Sequence, residues 1–170
     1  MSPVAEGFQI RRARTPDVRS IVALVEGFAQ ERILLGKELV TLYEDLQEFR
    51  VAEADGEVVA CGALHVMWED LAEIRTLAVS RAWQGRGVGH AVLDALIREA
   101  KELGVSRLFC LTFQVDFFAR HGFRPIQGTP VPPDVYTELL RSMDEGVAEF
   151  LDLARVKPNT LGNTRMLREG

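Results

Sequence analysis

The chain predicts an α/β (α+β) domain of three layers, with a mixed, mostly antiparallel sheet flanked by helices. Three observations predict it. Two helical stretches open the chain. Apolar runs of strand length then surround the hairpin signal Asp55-Gly56. A strand, a long amphipathic helix and another strand follow. With 170 residues, 47% of them hydrophobic, the chain can bury one core, so a single domain over residues 1–170 is expected.

Gly7 to Arg12 reads as a first strand. Thr15-Pro16-Asp17 begins a helix: Thr caps, Pro suits the first turn, and Asp favours the positive end of the dipole. Val18, Ile21, Val22, Val25 and Phe28 continue it at helical spacing. Ile33-Leu34-Leu35-Gly36 breaks it, and Lys37 to Leu46 forms a shorter second helix. Phe49 to Ala54 and Val58 to Val66 are the strands of the hairpin, and Glu73 to Val79 is a fourth strand. Val88 to Leu103 is the strongest helix, with Val88, Val92, Ala95, Leu96, Ala100 and Leu103 on one side and Gly104 placed to end it. Leu108 to Thr112 is a fifth strand, Asp116 to His121 a short helix and Phe123 to Ile126 a sixth strand. After the loop Gly128 to Pro133, residues Asp134 to Asp152 read as a helix in two pieces broken near Gly146. Thr164 to Leu167 is a final strand.

Several function classes are disfavoured by composition. A net charge of −5 argues against a nucleic-acid surface, which needs a concentrated positive field. No apolar run approaches the roughly 20 residues of a membrane helix, and Met1 to Gly7 lacks the layout of a secretory signal. A cytoplasmic protein with no membrane partner is expected. Cys61 and Cys110 lie in apolar strand runs and read as buried, reduced and structural. Two cysteines and three dispersed histidines make no zinc spacing, so no metal is expected.

The segment Gln84-Gly85-Arg86-Gly87-Val88-Gly89 follows a strand and opens the long helix. Such a loop is an anion site, because glycine lets the backbone approach a phosphate and the helix's first N–H groups face it. A dinucleotide fingerprint fails, since its third glycine would fall at His90 and no acidic residue ends a second strand at the required distance. A nucleotide P-loop fails for want of a following Lys-Ser or Lys-Thr. A plain surface turn is the other reading, and three glycines at alternate positions argue against it.

Gln84-x-x-Gly87-x-Gly89 resembles the pyrophosphate arm of the GNAT superfamily of acetyltransferases. The strand Glu73-Ile74-Arg75-Thr76-Leu77-Ala78-Val79 resembles the strand that precedes the arm there, and Phe117-Phe118-Ala119-Arg120-His121-Gly122-Phe123 the later helix-to-strand junction. The resemblance implies a GNAT-like three-layer fold with acetyl-CoA as co-substrate. It implies that the backbone of Leu77, Ala78 and Val79 pairs with pantetheine. The pyrophosphate then falls to Gln84 and the amides of Gly85, Arg86, Gly87, Val88, Gly89 and His90. Acyl transfer to an amine needs a base, and the resemblance puts Glu73 there, acting directly or through water. The other reading of Glu73 is a surface ion pair. A strand amide near Leu77 or Ala78 would meet the oxyanion. Many family members carry a tyrosine where this chain has Phe118, beside the cofactor, so the leaving thiolate has no hydroxyl there.

Ile33-Leu34-Leu35-Gly36-Lys37, Cys61-Gly62-Ala63-Leu64 and Ser106-Arg107-Leu108-Phe109 further resemble the acetyltransferase domain of bacterial N-acetylglutamate synthases, over about Phe8 to Leu167. That implies N-acetylation of L-glutamate, the entry to arginine biosynthesis, by a short, stand-alone form lacking the larger synthases' kinase-like domain. A dianionic acceptor needs cations or aligned donors. Lys37 and His65 fall at basic positions of that family, and Arg75 shares a face with Glu73 if no bulge intervenes. The family's Arg-x-Ser on its last strand is Gly162-Asn163-Thr164 here. Thr164 would take the serine's part, Arg165 or Lys157 the arginine's, and glutamine is a competing acceptor. Other readings are transfer to a peptide N-terminus or a lysine, and a non-catalytic acetyl-CoA sensor. The partner expected is thus a small amino acid, together with homodimerisation as GNAT domains often show.

Overall fold

The computed structural model describes residues 7–29, 39–157 and 162–170. The strands are β1 (Gln9–Arg12), β2 (Phe49–Ala54), β3 (Glu57–Trp68), β4 (Leu71–Val79), β5 (Arg107–Thr112), β6 (Arg124–Pro125) and β7 (Thr164–Glu169). The helices are α1 (Val18–Ala29), α2 (Leu39–Glu44), α3 (Val88–Leu103), α4 (Val115–Ala119), α5 (Pro133–Leu139) and α6 (Glu145–Phe150). Strand order is β1-β2-β3-β4-β5-β7-β6. β4 and β5 pair in parallel, while β1–β2, β2–β3, β5–β7 and β6–β7 are antiparallel. A parallel join requires a crossover, and α3 is that crossover. The mixed sheet read from the sequence is therefore present. The chain divides into two compact units, one taking residues up to His65 and Ile74–Leu103, the other Val66–Glu73 and Gly104–Gly170.

In the first unit Val18, Ile21 and Val25 of α1 pack with Leu42, Phe49, Val51, Cys61, Ala63 and Ala78. The Asp55-Gly56 turn has φ of 51° and 79°, as a two-residue hairpin of this twist demands. The start of α1 differs from expectation. Thr15 to Asp17 form a 3-10 turn of their own ahead of the helix. The side chain that reaches back is Asp17, which accepts from the Arg14 N–H at 2.7 Å. The break at Ile33-Leu34-Leu35-Gly36 lies outside the described residues, as does the start of the second helix at Lys37. The helix α3 has the expected bounds, but Leu103 is 58% exposed and leaves the apolar side to Val88, Val92, Ala95, Leu96 and Ala100. Glu99 on α3 receives Arg12 at 3.6 Å and Arg50 at 3.5 Å.

In the second unit β5 lies between β4 and β7, and Leu71, Phe109, Leu167, Leu139, Val147, Phe150 and Leu151 form its core. The break between α5 and α6 falls at 140–144, ahead of Gly146. Gly146 is buried within α6, and the helix starts where Asp144 accepts from the Val147 N–H at 3.0 Å. A side-chain cap fixed this boundary, and the glycine did not.

The Asp17 cluster yields a measurable pH dependence. The Arg11 guanidinium donates to both Asp17 oxygens, at 2.7 and 2.9 Å. This bond foremost, then the Arg14 N–H, holds the buried carboxyl below the usual carboxylate range, against a burial effect of opposite sign. A group whose folded pKa is depressed stabilises the fold above its unfolded value, near 4, and loses that contribution as pH falls through the folded value. Asp17→Asn should cost about 2 kcal/mol at pH 7. The gap between the urea midpoints of the two proteins should close as pH drops below about 4. Equal midpoints at pH 7 would leave this cluster without a stabilising part.

Candidate active site

Strand β4 carries most of the residues expected to do chemistry. Glu73 is 4% exposed and pairs in register with Phe109 of β5. Its negative charge reaches Cys110: burial first, then Glu73, raises that thiol well above its ordinary range. With its side chain buried as well, Cys110 fits the structural cysteine expected from the sequence. Arg75 is half-buried, two residues beyond Glu73. The backbone irregularity of the strand comes after it, at Thr76 (φ 57°), so alternation puts Glu73 and Arg75 on one face. A β-branched residue in the left-handed region is an outlier of the kind that re-aims a strand. Beyond it Leu77 and Val79 are half-buried and Ala78 is buried.

The glycine loop follows. The Gln84 amide donates to the Val79 carbonyl at 3.3 Å and so latches the loop to the end of β4. Gly85 and Gly87 have φ of 78° and 82°, and a Cβ built on either meets nothing within 4 Å. The loop backbone thus faces open space, as a phosphate cradle must. The half-buried Gly89 and His90 fall in the first turn of α3, whose leading N–H groups have no carbonyl of their own turn to bond. Val88 is buried, so only its backbone is on offer. The Arg86 guanidinium lies 3.9 Å from the Trp83 ring centroid, and Trp83 meets Phe8 edge-on at 6.3 Å. This places a positive charge beside the glycines of a net-acidic chain.

The residues expected at the acceptor are distributed differently. Lys37 lies outside the described residues. His65 on β3 holds its Nδ1 2.6 Å from Oε2 of Glu48. Thr164 opens β7 opposite Thr112, while Glu73 pairs with Phe109. The pleat therefore turns Thr164 to the other face of the sheet from Glu73 and puts Arg165 on the Glu73 face. Arg165, however, donates to the carbonyls of Glu149 (3.0 Å), Gly128 (2.9 Å) and Phe150. Burial lowers its pKa, with Asp152 opposing. Lys157 is paired with Asp152. Phe118 is buried, edge-on to Phe117 and Phe123. Three neighbours of the expected residues escape sequence reading: Thr76 with its left-handed φ, Trp83 under Arg86 and Glu48 beside His65. Only Trp83, an aromatic next to the glycine loop, left a signal there. Among the described residues no cluster of three His, Cys, Asp or Glu is placed to hold a metal, and no helix is long and apolar enough to cross a membrane.

The open loop predicts a separation of stability from binding. Gly87→Ala forces a side chain to a left-handed φ, at about 1–2 kcal/mol, with no clash to add. Gly56→Ala, at φ 79° and equally open, is the matched control. Both variants should fold with similarly lowered melting temperatures, but only Gly87→Ala should weaken acetyl-CoA binding in calorimetry, by tenfold or more. Equal affinity in both would exclude this loop as the pyrophosphate cradle.

Comparison with known proteins fits this geometry. The model of the acetyltransferase (GNAT) family matches residues 15–123. An amino-acid acetyltransferase of Mycobacterium tuberculosis is 59% identical over 161 residues, which cover 93% of this chain and 92% of that protein. The crystal structure of Rv2747 from M. tuberculosis in complex with CoA and NLQ superposes with a TM-score of 0.91 at 58% identity, covering 95% of this chain and 98% of that one. N-acetylglutamate synthase from Neisseria gonorrhoeae, complexed with coenzyme A and N-acetyl-glutamate, gives a TM-score of 0.75 at 27% identity. The match covers 95% of this chain but only 35% of that longer one. With its arm, its preceding strand and its junction all in place, the chain belongs to the GNAT acetyltransferase family.

Proposed function

We propose that this protein acetylates the amino group of a small amino acid with acetyl-CoA, L-glutamate being the first acceptor, as the entry step of arginine biosynthesis in the cytoplasm. One observation carries the reading. A single strand, β4, bears a buried carboxylate at Glu73 and is latched, through Gln84 and Val79, to an open glycine loop. The name of the relative that covers 93% of the chain, an amino-acid acetyltransferase, supports an amino-acid acceptor.

Acetyl-CoA supplies an acetyl group activated as a thioester. The backbone of Leu77 to Val79 and the amides of Gly85 to His90 hold it, with Arg86 adding charge. Glu73 takes the proton of the acceptor ammonium, directly or through water, so that a neutral amine attacks. An amide near Leu77 or Ala78 meets the oxyanion. Phe118 has no hydroxyl to offer the leaving thiolate, which departs unprotonated or takes, through water or another residue, the second proton that the amine nitrogen loses on becoming an amide. His65, Arg75 and Lys37 recognise the acceptor.

A second acceptor is favoured by a specific observation. Arg165 and Lys157, the two cations that would replace the arginine missing from the last strand, are committed to main-chain carbonyls and to Asp152. Fewer cations for a side-chain carboxylate favour glutamine, whose side chain is neutral, alongside glutamate.

Free-thiol release with acetyl-CoA and a panel of amino acids, peptides and lysine derivatives tests the reading. Turnover is expected with glutamate or glutamine. Turnover with peptides alone, or none at all, would overturn it. Glu73→Gln keeps shape and removes basicity. It should lose about 10²–10⁴ in rate at neutral pH, with part regained at higher pH, where more amine is already neutral. A parental rate across the whole pH range would remove Glu73 from the chemistry.

A further inference from the structure

Arg86 stands between the two open glycines of the loop, and its side chain turns back along the chain. Just after β4, the Ser80 N–H donates to the Val59 carbonyl of β3 at 2.8 Å. The 3-10 turn Arg81–Trp83 follows, and Trp83 closes it. The indole meets Phe8, itself 6% exposed, edge-on at 6.3 Å, and a Cβ built on Gly7 would lie 4.0 Å from the ring. The half-buried ring is therefore held by its own surroundings. Gln84 leaves the turn extended, and Gly85, at φ 78°, reverses the chain. Arg86 thereby returns over Trp83, with its Cζ 3.9 Å from the ring centroid.

Other guanidinium groups of the chain are met by oxygen: Arg11 by Asp17 and Glu53, Arg107 by Asp70, Arg155 by Glu145, and Arg168 by the His121 carbonyl. Among the described residues Arg86 has the Trp83 ring and no oxygen. A ring face attracts a cation through its quadrupole and accepts none of the in-plane N–H bonds. Arg86 is thus held in place with its charge and its donor fork unspent, and that fork is the group that matches a phosphate. An exposed arginine that must order itself around an anion gives up rotamer freedom on binding, and one already seated gives up less. We propose that Trp83 is a positioning residue of the cofactor site, its ring seating the Arg86 guanidinium beside the glycine loop so that the N–H edge meets the pyrophosphate of acetyl-CoA. The inference rests on the reading of Gly85 to His90 as the pyrophosphate cradle.

Two measurements on the full chain test it. In proton NMR, with the Arg86 side-chain signals assigned by their loss in Arg86→Lys, the ring current of Trp83 should move them upfield, both without ligand and with acetyl-CoA bound. Signals at the position of a solvated arginine would overturn the inference, and this measurement needs no Trp83 variant to fold. In calorimetry, Arg86→Ala should weaken acetyl-CoA binding by about tenfold or more. Trp83→Leu should weaken it about two- to fivefold, while Trp83→Phe, which keeps an aromatic face, should stay within about twofold of the parent. Adding Trp83→Leu to Arg86→Ala should cost nothing further, because the ring acts through the guanidinium. Acetyl-3′-dephospho-CoA keeps the pyrophosphate and should show the same losses. A parental affinity in Trp83→Leu overturns the inference. So does a Trp83→Leu loss of equal size with and without Arg86, which would make the ring a packing residue. Losses that vanish with the dephospho form also overturn it, since Arg86 would then serve the other phosphate. In each of these cases a weakened Gly87→Ala leaves the cradle reading intact. If neither Gly87→Ala nor Arg86→Ala weakens binding, the cradle reading itself fails.

Discussion

The left-handed backbone at Thr76 is the constraint around which the first unit is arranged. A β-branched residue at that φ costs roughly 1–3 kcal/mol and persists only where its surroundings over-determine it. They do so here from two sides. The Cys61 thiol donates to the Thr76 carbonyl at 3.3 Å, and burial pushes that thiol's pKa up to about 12, so the donor keeps its proton. Beside it Gly62 has no side chain, and Leu77, Val92 and Leu96 fill the space above its Cα. A Cβ there would meet them at 2.9, 2.9 and 3.0 Å. The kink, the close seat of α3 on the strands and the direction in which β4 leaves toward the glycine loop are therefore one packing solution. Cys61 and Gly62 contribute to it without touching any reactant.

Elements whose causes are local were legible in the sequence. The helix α3 is bracketed by its glycine loop and by Gly104, and its bounds followed. The hairpin followed from Asp55-Gly56, and the order of Glu73, strand end and loop followed because all lie within twenty residues. Elements fixed by distant partners were not legible. Gly146 reads as a breaker, yet the break sits ahead of it because Asp144 caps α6. Glu48 and His65 are 17 residues apart, and Arg165 reaches Gly128 across 37. No periodicity encodes such pairs. Thr76 is the extreme case, since its own chemistry argues against the conformation that its neighbours impose.

The deployment of cations then bears on what the protein can recognise. On β7, Arg165 ties the carbonyls of Glu149, Phe150 and Gly128, and the Arg168 guanidinium donates to the His121 carbonyl at 2.9 Å. Both arginines of the strand thus donate to main-chain oxygens, Arg165 through Nε and a terminal nitrogen and Arg168 through Nε, which anchors α6 and the turn after α4 to β7. The Arg165 guanidinium keeps its charge, but with Nε and a terminal nitrogen engaged it loses the planar fork that reads a carboxylate. In the proposed reading, recognition of an anionic amino acid falls to residues earlier in the chain: Arg75, Lys37 and the imidazole of His65. Of these, only the imidazole can change what it offers without changing its position, because its second nitrogen is an acceptor or a donor according to its charge. An acceptor site that leans on a histidine can take a neutral amide as well as a carboxylate, where one that leans on a locked arginine fork is built for the anion. The rigid β7 and a tolerant acceptor preference are, on this account, two consequences of the same placement of arginine.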